Sequence, residues 1–125
     1  MKERPPFNCV GFVYKEVGIK SEEQYIDPPS LGKLLKYFDQ VEDIKTATVL
    51  AVIAYSPKKP YVAHIALISE DKLKITHRKI GQHISTEDLK SGLEEYLDSE
   101  VDFRRLIYLK PKNRNQHFIL KLLKL

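Results

Sequence analysis

The stretch Tyr61-Val62-Ala63-His64-Ile65-Ala66-Leu67-Ile68-Ser69-Glu70-Asp71-Lys72-Leu73-Lys74-Ile75-Thr76-His77-Arg78-Lys79 decides the fold. It reads as two strands, 61–69 and 72–79, joined tightly at Glu70-Asp71. The second strand alternates Leu73, Ile75 and His77 with Lys72, Lys74, Thr76 and Arg78, the period of a strand with one buried face. Pairing Ser69 with Lys72 sets Ile68 against Leu73, Ala66 against Ile75 and His64 against His77. His64 is then expected to share a face with Val62, Ala66 and Ile68. Both imidazoles point to the core side, with Cβ atoms about 4.5–5.5 Å apart. A bulge or an odd-length loop would break this pairing, and Glu-Asp is a poor type I′ turn because both central residues need positive φ.

Working outward, 47–55 (Ala-Thr-Val-Leu-Ala-Val-Ile-Ala-Tyr) reads as a strand buried on both faces. A last strand is expected over 103–109. Asn8 and Gly18 bracket a first helix over 9–17, in which Gly11 would let the helix lie close against another element. Pro28-Pro29-Ser30 announces a second helix, with Leu31, Leu34, Leu35 and Phe38 at i, i+3, i+4 and i+7. Ser85 caps a third helix, with Asp88 in a capping-box position and Leu89, Leu93, Tyr96 and Leu97 as its apolar side. The order predicts an α+β fold, N-terminal helices packed on a mostly antiparallel sheet. Residues 1–125 form one domain, with a basic and apolar tail at 112–125 that could dock on a protein partner or a second copy.

Two histidines on an inward face need an explanation. A metal site would need more than two ligands, and His83 and His117 have no evident ligand geometry. A hydrogen-bonded structural pair is a second explanation. Catalysis is the third, and it needs a nucleophile.

Cys9, in Asn8-Cys9-Val10-Gly11-Phe12-Val13, is the only cysteine of the chain. It cannot form an intrachain disulfide or a multi-cysteine zinc site. At the first turn of a helix it faces unpaired N–H groups and the positive end of the macrodipole, which favour a thiolate. A nearby imidazole would lower its pKa further. His64 would be the base, His77 the orienting residue and the Cys9 N–H an oxyanion donor. Burial as a small hydrophobe is the other fate open to Cys9.

With 42% hydrophobic and 30% charged residues, 125 residues can bury a core without disulfides or a structural metal. The net charge of +4 comes from scattered lysines, without an aromatic-basic motif, so nucleic acid ranks last among partners. The longest apolar run, 47–55, is too short to span a bilayer. No signal peptide is visible, so the chain is expected in the cytoplasm. No cofactor is expected.

Asn8-Cys9-Val10-Gly11-Phe12, His64-Ile65-Ala66-Leu67-Ile68, the turn at Glu70-Asp71 and Ile75-Thr76-His77 together resemble the NlpC-type cell-wall peptidases, a branch of the papain-like cysteine peptidases. Val10 stands where that family has serine, and Ala66 where it has glycine. The resemblance covers roughly residues 8–80. It implies a papain-like core, with Cys9 as nucleophile, His64 as base and His77 as orienting residue, and hydrolysis of an amide or peptide bond through a thioester. Peptides of the bacterial cell wall are the substrates the family suggests. The alternative is a catalytically inactive papain-like fold that serves as a binding module.

Overall fold

The computed structural model describes residues 6–55, 59–79 and 83–112. The described part is an α+β structure. Its elements in chain order are α1 (Cys9–Glu16), α2 (Leu31–Leu34), β1 (Phe38–Val41), β2 (Val49–Tyr55), β3 (Tyr61–Ile68), β4 (Lys74–Arg78), β5 (Ile84–Asp88), α3 (Leu89–Leu97) and β6 (Phe103–Pro111). The strands form one antiparallel sheet in the order β1-β6-β2-β3-β4-β5. Central β2 is buried on both faces as far as Ala54, as its unbroken apolar run requires.

Two apolar layers sandwich the sheet. Val10, Phe12, Val13 and Tyr14 of α1 pack with Val49, Ala51, Ile53 and Ile65 on one face. Leu93 and Tyr96 of α3 pack with Leu50, Val52, Ala66 and Ile75 on the other. The second core accounts for the two-sided burial expected of β2, because strand alternation sends every other residue to α3.

The first helix follows its sequence signals closely. Asn8 caps it, accepting from the Gly11 N–H at 3.0 Å. Val17 follows the helix, and Gly18 then takes φ 86, a left-handed conformation that costs glycine little. Asn8 does more than cap. Its Oδ1 accepts from the Ile26 N–H at 3.2 Å, and its Nδ2 donates to the Ile26 carbonyl at 2.7 Å. An aspartate could cap the helix, but it lacks the amide donor for the third bond.

Gly11 does lie against another element: a Cβ built there would fall 1.6 Å from the Gln24 carbonyl oxygen. That atom is backbone, so relief requires moving the strap that Asn8 pins. Gly11→Ala is therefore expected to lower unfolding free energy by at least about 2 kcal/mol in urea titrations. Gly32→Ala, with nothing within 4 Å of the added carbon, is expected to leave stability unchanged or raise it slightly. Equal stability of the two variants would contradict this packing.

Three expectations fail at element boundaries. The second helix is a single turn, and Phe38, expected on its apolar face, instead opens β1 and pairs with Pro111. Ser85 does not cap a helix. It lies in β5 opposite His77, and Asp88 caps α3 by accepting from the Ser91 N–H. Leu73 sits not in a strand but in the loop before β4, 63% exposed. The proposed tail lies outside the described residues from 113 onward, as does His117.

Candidate functional site

The β3–β4 register is shifted by two residues from expectation. Ile68 pairs with Ile75 and Leu67 with Thr76, so the continued register sets His77 beside Ala66 rather than His64. The cause is the turn. Ser69 and Lys74 close a four-residue loop through the Ser69 N–H to the Lys74 carbonyl at 2.9 Å. Asp71 organises it, accepting from Ser69 Oγ and the Leu73 N–H, and Lys72 takes φ 63. An even shift preserves the face of every side chain. The histidines therefore still share a face and meet diagonally, with His64 Nε2 and His77 Nδ1 2.7 Å apart.

Val62 does not share that face. The register slips between Val52 and Ile53 of β2, so that Val52 pairs with His64 but Ile53 with Val62. This irregularity sends Val62 to the α1 layer and leaves His64 on the α3 side, where Tyr96 stacks flat on it at 3.6 Å between ring centroids. The histidine face is thus covered by α3, not by the helix that carries Cys9.

The diagonal continues one strand further. His77 pairs directly with Ser85, and Glu87, two residues along, bonds His77 Nε2 through Oε2 at 2.5 Å. Lys79 reaches the other oxygen of Glu87 at 3.3 Å and Glu95 at 3.9 Å. Gly92 lets α3 approach this corner, since a Cβ there would sit 3.2 Å from the Glu87 Cβ. Sequence reasoning missed Glu87. Its signal was strand parity: once 84–88 is read as a strand, Ser85 and Glu87 fall on the His77 face.

The electrostatics follow from burial. His64 is 2% exposed and His77 0%. Burial, then the charge of His77, pushes the His64 pKa down to about 3, so His64 is neutral at pH 7. The His77 bond, then Lys79, holds the Glu87 carboxyl below its usual range. An ionised carboxylate only accepts. Glu87 therefore takes the His77 Nε2–H, His77 Nδ1 accepts from the His64 Nε2–H, and His64 keeps its lone pair on Nδ1. That is the tautomer a general base needs.

Cys9 is half-buried and packs with the α1 layer. Burial raises its thiol pKa, opposed by backbone N–H groups of Ile65, Val10 and Cys9 itself. The expectation of a helix-stabilised thiolate is thus corrected: desolvation outweighs the helix terminus. The Ile65 contact places the sulfur beside β3, one residue from His64. The β3–β4 ladder holds only two residue pairs, and Cys9 sits against β3 beyond them. Among the described residues, no hydrogen bond joins the thiol to either imidazole.

No family model, no curated protein and no solved structure matches the chain.

β4 also holds the segments that flank α1. Arg78, next to His77, grips Glu23 with Nε at 2.5 Å and Nη2 at 2.9 Å. Its guanidinium lies 4.8 Å from the centre of the Phe7 ring. A groove of about 390 Å³ between α1 and α2 is lined by Tyr14, Lys20, Ile26, Pro29, Lys33 and Tyr37 among others, but by none of Cys9, His64 and His77. Among the described residues, no three His, Cys, Asp or Glu side chains are arranged to hold a metal ion, and no helix is long and apolar enough to cross a membrane.

Proposed function

We propose that this protein is a cysteine hydrolase with a papain-like core that cleaves an amide or peptide bond, cell-wall peptides being the first substrate class to test. The observation that carries this reading is the buried chain His64–His77–Glu87, which leaves the free lone pair of His64 on Nδ1, while Cys9 meets the backbone of Ile65, the residue after His64. Cys9 is the nucleophile, His64 the base and His77 the orienting residue. Because the thiol rests protonated, the nucleophile is made during attack and not stored as a thiolate. The sulfur bonds the substrate carbonyl carbon as its proton passes to His64. His64 then protonates the leaving amine, a thioester remains, and water releases the acid. Cys9 packs in the α1 layer and the His64 ring faces α3, so this step requires the thiol to reach His64 past the end of the two-pair β3–β4 ladder on substrate binding.

A second reading, an inactive papain-like binding module, is favoured by the raised thiol pKa and by the missing thiol–imidazole bond. A panel of cell-wall peptides and simple acyl esters separates the two. The hydrolase reading expects turnover that disappears in Cys9→Ala. Peptide binding without turnover, equal in wild type and Cys9→Ala, would establish the binding module.

A further inference from the structure

We infer that Glu87 is the charge-holding end of a two-imidazole proton relay, so that the imidazolium forms at His77 against Glu87 and not at His64. The geometry carries this. His64 Nε2 and His77 Nδ1 stand 2.7 Å apart, and His77 Nε2 meets the Glu87 carboxylate at 2.5 Å. His64 itself lies beneath the flat face of Tyr96, and among the described residues no carboxylate is bonded to it.

A proton arriving at His64 Nδ1 forms an N–H bond there. The His64 Nε2–H bond breaks as the His77 Nδ1–H bond forms. His64 ends neutral with its proton on Nδ1, and His77 ends as imidazolium paired with ionised Glu87. One proton has entered at His64 and one positive charge has appeared on the next ring, His77. If the proton comes from Cys9, the thiolate and the imidazolium are separated by a neutral ring. The charged and titratable groups around this relay are His64 on β3, Lys79 on β4, Glu87 on β5, Glu95 and Tyr96 on α3, and Cys9 on α1. Glu87 is the carboxylate bonded to an imidazole, and Lys79 opposes the added charge. Burial and the neighbouring imidazole both disfavour charge on His64, in line with this placement.

The consequence is a coupled switch. With the relay unloaded, His64 Nδ1 is a base. With one proton loaded, the same atom is a donor. Glu87 is a positioning residue in this scheme, because it acts through His77. Catalytic use of the relay rests on the hydrolase reading above, but the placement of the proton does not.

Nitrogen NMR of the full chain labelled with ¹⁵N-histidine tests it without any substrate. At pH 8, His64 should carry its proton on Nε2. On acidification, His64 should move it to Nδ1 at the same midpoint at which His77 becomes doubly protonated. Glu87→Gln keeps an acceptor oxygen but removes the charge, and should weaken this coupled proton uptake so that it needs more acid. A His64 Nδ1–H tautomer at pH 8, a His64 ring that becomes doubly protonated first, or a midpoint unmoved by Glu87→Gln would each overturn the relay. The wild-type spectra decide even if the variant does not fold. Failure of turnover with the predicted spectra would sink the hydrolase reading and leave the relay standing.

Discussion

Replacing His64 with alanine is expected to slow Cys9-dependent hydrolysis by about 10²–10⁴-fold, the usual worth of a positioned general base. The effect should be large because the thiol starts protonated, its pKa raised by burial. A cysteine that stored its own thiolate would lose less. The loss should fall mainly on kcat, since His64 is buried beneath Tyr96 and has little surface with which to bind substrate. His77→Ala should cost less than His64→Ala, because it removes the orienting partner and leaves the base. A His64→Ala protein that retains its fold and hydrolyses within tenfold of wild type would contradict the assigned role.

Acid should begin to destabilise the protein before its carboxylates titrate. The His64 pKa is about 3 in the folded chain against an ordinary value of 6.5. Between those values His64 of the unfolded chain binds a second proton that folded His64 refuses. Stability therefore rises with pH through this window. The His64 contribution is complete above about pH 6.5 and is lost as pH falls toward about 3. At about 1.4 kcal/mol per unit of displacement, the full loss is on the order of 5 kcal/mol, a large share of the 5–15 kcal/mol typical of a domain. Glu87, Asp71 and Asp102 also have depressed pKa values, but their effect begins only near the ordinary carboxylate range, roughly pH 4. Between pH 6.5 and 4.5 the carboxylates contribute little, and the difference between wild type and His64→Gln in urea unfolding reports the His64 share. The expected result is a falling unfolding free energy in wild type and a flatter profile in His64→Gln. Profiles of equal slope in wild type and a folded His64→Gln would contradict a buried neutral His64.

The inner strands were readable because their signals are local. The unbroken apolar run of β2 and the alternation in β4 each specify a strand without reference to neighbours. Asn8 and Gly18 likewise bracket α1 by their own chemistry. The histidine pair survived an incorrect turn because side-chain facing has period two, and the loop error was even. The errors lie where long-range pairing overrides a local pattern. Phe38 completes a helical apolar stripe, yet its burial in the core and the pairing of β1 with β6 draw it into a strand. Ser85 and Asp88 mimic a capping box, but β4 needs a partner on its outer side, and 84–88 supplies it. Glu87 was hidden by that one misreading. The Cys9 pKa was misjudged for a different reason: a helix terminus is visible in sequence, whereas desolvation is a property of the packed layer.

The most direct test of Cys9 as a nucleophile is intact-mass analysis of the folded protein mixed with an activated acyl ester. The account predicts one acyl adduct, mapped to Cys9, that forms and then decays as the acid is released, and that is absent in Cys9→Ala. A folded protein that stays unacylated at Cys9, while the urea-unfolded chain reacts there readily, would contradict it.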